Sequence, residues 1–425
     1  MSFSSYPQYK DSGVSWLGKI PIHWNVVPAK YKIKTISGGQ TIKNLVSNEP
    51  LDGLYPAFSA SGQDIWMEEY EFDVNGVVLS AVGARCGKTF KANDKWGVVA
   101  NTHCLFPKQD VDRDYIWYLT NREDWWEKGG TAQPFVKVSD SLAKKIAIPS
   151  LDEQRKIAIF LDHETLKIDK LVNEQEKLIG LLKEKRQAVI TDAVTKGLNP
   201  KSSLKDSGVE WLGAIPESWS VIKLKKITSR ISSGKTPSGG AEIYVDTGVI
   251  FLRSQNVYDE GLRLEDVVRI PEKIDAEMSS SRVIGGDILL NITGGSIGRS
   301  CCVPHDLESA NVNQHVCAIR LRQSELVAFV ELFFKSDIIK RQIDYVQNGA
   351  AREGLNFEQI GNFSICIPPL EERKLIVENV QAKIKHFSEL TSQINQSISL
   401  LQERRSALIS AAVCGLIDVR TTNGN

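Results

Sequence analysis

The chain has 425 residues, 52 Lys and Arg against 52 Asp and Glu, with 42% hydrophobic and 24% charged residues. That length supports two or three cores, two being the first expectation, and the composition is that of an ordinary globular chain. A net charge of +0 leaves no global footprint for nucleic acid, so any DNA contact must rest on local patches or on partners.

No stretch reaches the ~20 apolar residues of a membrane span, and residues 1–13 lack the apolar core of a signal peptide. A cytoplasmic chain without a membrane partner is expected. Seven cysteines form no CxxC pair and are odd in number, which argues for reduced thiols rather than a disulfide framework or zinc ribbon. Six scattered histidines give no metal-ligand spacing, so no metal site is expected.

The first feature along the chain is "KDSGVSWLGKIPIHW" at 10–24, which returns as "KDSGVEWLGAIPESW" at 205–219, offset by 195 positions. Strand-like runs follow in each half: "GVVLSAV", "GVIFLRS", "DILLNIT" and "VCAIRLR" are short, apolar or β-branched, and bounded by Gly, Asn and Asp. "YIWYLTNREDWW" and "LVAFVELFFKSDIIKRQI" read as helices. Fragments still correspond between the halves. "NGVVLSAVGARCGKTF" at 75–90 echoes "GGDILLNITGGSIGRS" at 285–300, and "VVANTHCLF" at 98–106 echoes "ANVNQHVCAIRL" at 310–321.

Each half then ends on a long helical segment, at 148–198 and 367–416, offset by 219 positions, so the second middle carries about 24 more residues. Ile148-Pro149 and Pro368-Pro369 stop the preceding strand, and Asp152 and Glu371 suit the positive end of a helix. A heptad seam predicts a core of Leu161, Ile168, Leu171, Leu178, Leu182 and Val189 in the first helix. In the second it predicts Val380, Phe387, Leu390, Ile394, Leu401 and Leu408. Neither seam is as broad as a globular face, which favours packing of the two helices against each other.

The fold class expected is therefore α+β: two tandem α/β domains separated and joined by two long antiparallel helices, a coiled coil, in a pseudo-twofold circular arrangement. The segments are 1–150 (first domain with its N-terminal phrase), 151–198 (first helix), 199–369 (second domain), 370–417 (second helix) and 418–425 (tail).

Catalytic signatures are missing. Gly87-Lys88-Thr89 and Gly234-Lys235-Thr236 have the end of a phosphate loop, but Val82 and Ser229 stand where its first glycine belongs. The clusters "AVGARCG" and "GGSIG" lack the helix and later acid of a dinucleotide fold. There is no nucleophile elbow, HExxH or Asn/Asp-Pro-Pro-aromatic tetrapeptide, so the chain by itself reads as non-enzymatic. What the middles offer is hydrogen-bonding side chains among glycines. Arg bridges guanine O6 and N7, and Asn or Gln bridges adenine N6 and N7. The DNA-binding candidates are Arg85, Lys88, Gln133 and Lys137 in the first half, and Lys235, Arg253, Ser254, Gln255, Asn256, Asn291, Thr293, Arg299, Asn313, Gln314 and Arg352 in the second.

The order "WLGxIPxxW", a variable middle, "IPSLDEQRKI" or "IPPLEERKLI", a long helix and an ending such as "RQAVITDAVTKGL", all twice, resembles the specificity subunit of Type I restriction-modification systems. The resemblance implies two target recognition domains, each reading one half of a bipartite asymmetric site on double-stranded DNA, with the paired helices as ruler. It implies two methylation subunits and restriction subunits as partners. S-adenosylmethionine, ATP and Mg²⁺ would belong to those partners, with no cofactor in this chain. Other readings of the residues are a structural coiled-coil adaptor that binds proteins, and a specificity subunit of a Type II-like enzyme.

The repeated Trp phrase reads as a joint. Its second copy connects the first long helix to the second domain, so the first copy should serve the helix that ends near the C-terminus. That requires the chain ends to lie close together.

Overall fold

A computed structural model describes residues 3–38, 45–122, 124–237, 240–347 and 354–421. The chain divides into two compact units, one of residues 1–176 and 395–425, the other of residues 177–394. Both long helices form, over Leu151–Lys196 and Leu370–Val413. The division cuts each near its middle, so each unit owns the first half of one long helix and the last half of the other.

Unit 1 contains a four-stranded antiparallel sheet in the order Thr89–Ala92, Gly76–Ser80, Thr102–Pro107, Ile33–Gly38. Its second sheet pairs Lys95–Val98 in parallel with Tyr55–Ser59. Unit 2 repeats this frame. Its strands Ser300–Cys302, Ile288–Asn291, Val316–Leu321 and Thr228–Ser233 stand in the same order, and Val249–Leu252 runs parallel to Ala310–Val312 in its second sheet. The strand that leads into each long helix pairs with the residues just after the Trp phrase: Ile148 faces Asn25 and Ile367 faces Ser220. Those pairs carry the offsets of 195 and 219 seen in the sequence.

The Trp phrases fold alike. Tyr9–Asp11 pairs with Lys19–Pro21 and Leu204–Asp206 with Ala214–Pro216, with identical register. In unit 1, Trp24 is fully buried and its indole Nε1 donates to Glu153 Oε1 at 3.1 Å, in the first turn of the first long helix. In unit 2, Trp219 donates to Glu372 Oε2 at 3.0 Å, the equivalent position of the second helix. A Cβ on Gly415 would meet Pro21 and Trp24, and one on Gly197 would meet Glu372 and Trp219, so each tryptophan also packs under the end of the other long helix. The joint therefore grips a helix start and a helix end at once. The chain ends meet as the joint requires: Asp418 N donates to Ser4 O at 2.8 Å, and the Arg420 guanidinium lies 4.8 Å from the Tyr6 ring.

Within unit 1 the helix halves touch through Asp169 and Arg405 at 2.9 Å and through Gln175 Nε2 and Ser397 Oγ at 3.0 Å. The partner number falls as the first number rises, so the two runs are antiparallel there. Leu161, Ile168, Val380 and Leu408 are buried, while Leu182, Val189, Phe387, Leu390, Ile394 and Leu401 are half-buried. Leu171 and Leu178 depart from the expected seam, at 52% and 45% exposed; Val172 and Ile179, one residue on, are the half-buried ones. The seam steps four residues and then three from Ile168 to Val172, Gln175 and Ile179, and a three-then-four reading turns Leu171 and Leu178 outward.

The shorter helices also differ from expectation. The first covers Arg113–Thr120 and stops before Trp125 and Trp126, with Trp126 Nε1 donating to Thr120 O at 2.8 Å. The second expected helix is two, Val327–Phe334 and Asp337–Gln347, split where Ser336 Oγ bonds back to Phe333 O at 2.6 Å.

Candidate nucleic-acid interface

After the central strand of each unit the chain makes a tight glycine loop. Gly83 and Gly87 have φ of +98° and +93°, and Gly294 and Gly298 have +70° and +87°, a region that side chains with a Cβ rarely adopt. Gly87 N donates to Ser80 O and Ser80 N to Lys88 O, both at 2.9 Å; Gly298 N donates to Asn291 O and Asn291 N to Arg299 O, both again at 2.9 Å. Val136 N clamps Ala81 O, and Leu355 N clamps Ile292 O, each at 2.9 Å. These contacts align Ser80 with Asn291 and Lys88 with Arg299. That register is one residue away from the gapless alignment of the two sequence fragments. Backbone torsion, not residue identity, sets the correspondence.

In unit 2 the loop belongs to a wider cluster. Gly234 N donates to Asn313 O at 3.1 Å, Asn313 N to Leu252 O at 3.0 Å, and Ile292 N to His315 O at 3.0 Å. Thr293 Oγ1 lies 2.7 Å from His315 Nδ1, and Asn291 Nδ2 donates to Ser254 O at 2.8 Å. These bonds gather the segments that carry Lys235, Arg253, Ser254, Gln255, Asn256, Asn291, Thr293, Arg299, Asn313 and Gln314 into one region. Lys235, Gln255 and Gln314 are exposed, and Arg253, Ser254, Thr293 and Arg299 are half-buried.

The three asparagines are buried and hold the loops. Asn256 Oδ1 accepts from Arg253 N and its Nδ2 donates to Arg263 O; Asn313 Oδ1 accepts from His315 N. Arg352 lies outside the described residues.

In unit 1, Arg85, Lys88, Gln133 and Lys137 are all exposed. Gly83 N donates to Pro134 O at 2.9 Å, and Val82 bridges Phe135, which lays segment 133–137 along the glycine loop. Arg85 is turned back by a bond from its Nη1 to Ser61 O. The structure adds neighbours that sequence reasoning missed. Lys128, opposite Val136, Arg122 and Arg405 share a cleft of about 800 Å³ with Arg85 and Lys88. In unit 2, Tyr258 carries Arg263 at 3.6 Å and Arg299 at 4.9 Å from its ring centroid. The hairpin partners of Lys128 give a weak local signal; Arg122 and Arg405 give none, because only the tertiary fold brings them to the loop.

No group of His, Cys, Asp or Glu among the described residues is arranged to hold a metal ion, and no described helix is long and apolar enough to cross a membrane. The arrangement can donate and accept hydrogen bonds and present cations. Two units with one frame and different side chains on the same loops define a duplicated recognition scaffold.

Comparison with known proteins gives that scaffold its family. The family described as the Type I restriction modification DNA specificity domain matches residues 33–179 and 216–400, and the chain belongs to it. Among its relatives, the Type I restriction enzyme MjaVIII specificity subunit of Methanocaldococcus jannaschii is 25% identical over 95% of both chains. The Type I restriction enzyme EcoDI specificity subunit of Escherichia coli is 23% identical over 94% of this chain and 89% of its own. A chain solved in work on complex assembly and conformational transition of the type I R-M system superposes with a TM-score of 0.65. It does so at 13% identity over 93% of this chain and 98% of its own, a likeness of fold.

Proposed function

We propose that this chain is the non-catalytic DNA-specificity subunit of a Type I restriction-modification complex in the cytoplasm. Residues 1–150 and 199–369 are its target recognition domains, each reading one half of a bipartite, asymmetric site on double-stranded DNA. Residues 151–198 and 370–417 pair as an antiparallel coiled coil that sets the spacer and docks two methylation subunits, around which restriction subunits assemble. The whole is circular and pseudo-twofold. S-adenosylmethionine, ATP and Mg²⁺ belong to the partners.

One observation carries this reading: the glycine loops and their clamps repeat bond for bond in the two units, while the side chains displayed on them differ. A duplicated frame with unlike surfaces suits two independent readings of one duplex. The exposed and half-buried side chains of the candidate set would read bases or phosphates, and Asn256, Asn291 and Asn313 would position them. The test exchanges residues 30–145 for the corresponding domain of a relative and maps methylated adenines. One half of the recognised sequence is expected to change; a change in both halves, or in neither, refutes the reading.

A further inference from the structure

The unit 1 cleft carries Arg85, Lys88, Arg122, Lys128 and Arg405 against a single carboxylate, Asp124. Asp124 is taken by Arg122 through two bonds of 2.6 and 3.0 Å, and Arg405 is paired with Asp169 at 2.9 Å. Lys88 and Lys128 form no ion pair among the described residues. Lys128 Cε sits 3.0 Å from where a Gly87 Cβ would be, so this second cation lies against the glycine loop itself. In a chain of net charge +0, an uncompensated pair in a concave wall is a local positive field.

Unit 2 also sets two cations together. Arg299 occupies the Lys88 station, and Arg263 joins it on the Tyr258 ring, in a pocket that Glu265 and Asp266 also line without an ion pair to it. We propose that Lys88 with Lys128, and Arg299 with Arg263, hold backbone phosphates of the DNA duplex, while the neighbouring loops read the bases. The proposal deepens the DNA-specificity reading above and rests on it.

The chemistry favours phosphate over base at the unit 1 station, and the shared backbone position carries the same assignment to Arg299. A lysine ammonium is a point charge without the planar fork that distinguishes guanine, so Lys88 and Lys128 neutralise charge better than they discriminate sequence. A station that stays cationic while the surfaces around it diverge fits the one ligand common to every target, the phosphate. Contacts of that kind fix register and supply affinity without sequence information.

The full chain, reconstituted with its methylation subunits, is titrated onto a duplex carrying its mapped target and onto a scrambled duplex between about 50 and 200 mM salt. Each phosphate contact contributes about 0.9 to the slope of log affinity against log salt. The double variant Lys88→Gln with Lys128→Gln is expected to lower that slope by about 1.8 and to weaken target and scrambled DNA equally. Arg263→Gln with Arg299→Gln is expected to do the same. The pair Lys88→Arg and Lys128→Arg keeps the slope, which separates lost charge from lost fold. An unchanged slope in the Gln variants, or a loss confined to the target duplex, overturns the phosphate assignment. A wild-type complex with no preference for its target overturns the specificity reading itself, a distinct result.

Discussion

Glu153 shows how much one buried carboxylate organises. Its side chain is 5% exposed and accepts from Tyr6 Oη at 2.7 Å and Trp24 Nε1 at 3.1 Å, with His23 Nε2 at 3.0 Å. Burial and the adjacent carboxylate push the Tyr6 hydroxyl well above its ordinary range, so it stays a neutral donor. Glu372, its counterpart, receives the Trp219 indole and is half-buried. Leaving a buried donor without a partner costs roughly 1–3 kcal/mol. Glu153→Ala strands two donors and is expected to loosen unit 1 by about 3 kcal/mol, against about 1 kcal/mol for Glu372→Ala in unit 2. Native-state hydrogen exchange at Ile20 and Ile215, equivalent positions in the two hairpins, measures both; equal losses would mean that the Tyr6 bond contributes nothing. The tryptophans were legible as a repeated joint, but their acceptors were not, because each lies more than 100 residues away at the start of a long helix.

Among the elements, the first strand of the four-stranded antiparallel sheet in each unit is closed by a glycine for steric reasons, Gly38 as the last strand residue in unit 1 and Gly234 just past the strand in unit 2. A Cβ on Gly234 would stand 1.5 Å from Val312 O and 2.4 Å from its carbonyl carbon, main-chain atoms of the neighbouring sheet. A Cβ on Gly38, the same place in unit 1, would meet chiefly the Thr102 side-chain Oγ1, at 2.2 Å. Main chain cannot step aside as a side chain can. Gly234→Ala is therefore expected to destabilise unit 2 by at least about 3 kcal/mol and Gly38→Ala to cost unit 1 about 1–2 kcal/mol. Denaturant titration read by hydrogen exchange within each unit checks the order, and a reversed order would show that the 228–233 strand shifts freely. Sequence reading found the strands at 76–80, 249–252, 288–291 and 316–321 from their apolar or β-branched runs and the long helices from their heptads, but not the two strands at 33–38 and 228–233. It misplaced Leu171 and Leu178 and slipped the glycine loops by one, because a single-residue choice of phase is decided by what packs opposite, which periodicity alone does not contain.

At the scale of the whole molecule, duplication was the most legible feature, and it makes the position of the chain ends a testable variable. Residues 199–201 run continuously from the first long helix into the second joint. In unit 1 the same place is made of two pieces, residues 4–6 and 416–420, joined by Asp418 N to Ser4 O and by the Arg420 contact with Tyr6. The Asp418 carboxylate holds Arg420 with two bonds of 2.9 and 2.8 Å, and that guanidinium keeps the carboxyl below its ordinary range. Among the described residues the clasp has no counterpart in unit 2, where Lys201 and Ser218 stand at the positions of Tyr6 and His23. Opening the chain at Pro200, with residues 421 and 3 joined by a short linker, moves the break from a reinforced site to its unreinforced equivalent. The permutant is expected to fold and to keep the Asp169–Arg405 and Gln175–Ser397 contacts of unit 1, since the break falls outside every described strand and helix. Its hairpin at 204–216 is expected to exchange amide hydrogen at least tenfold faster than the native hairpin at 9–21, about 1.4 kcal/mol of lost protection. Failure of the permutant to fold would refute the equivalence of the two joints. Equal protection of the two hairpins would show instead that the joint holds through its tryptophan alone, with the clasp of Tyr6, Asp418 and Arg420 dispensable.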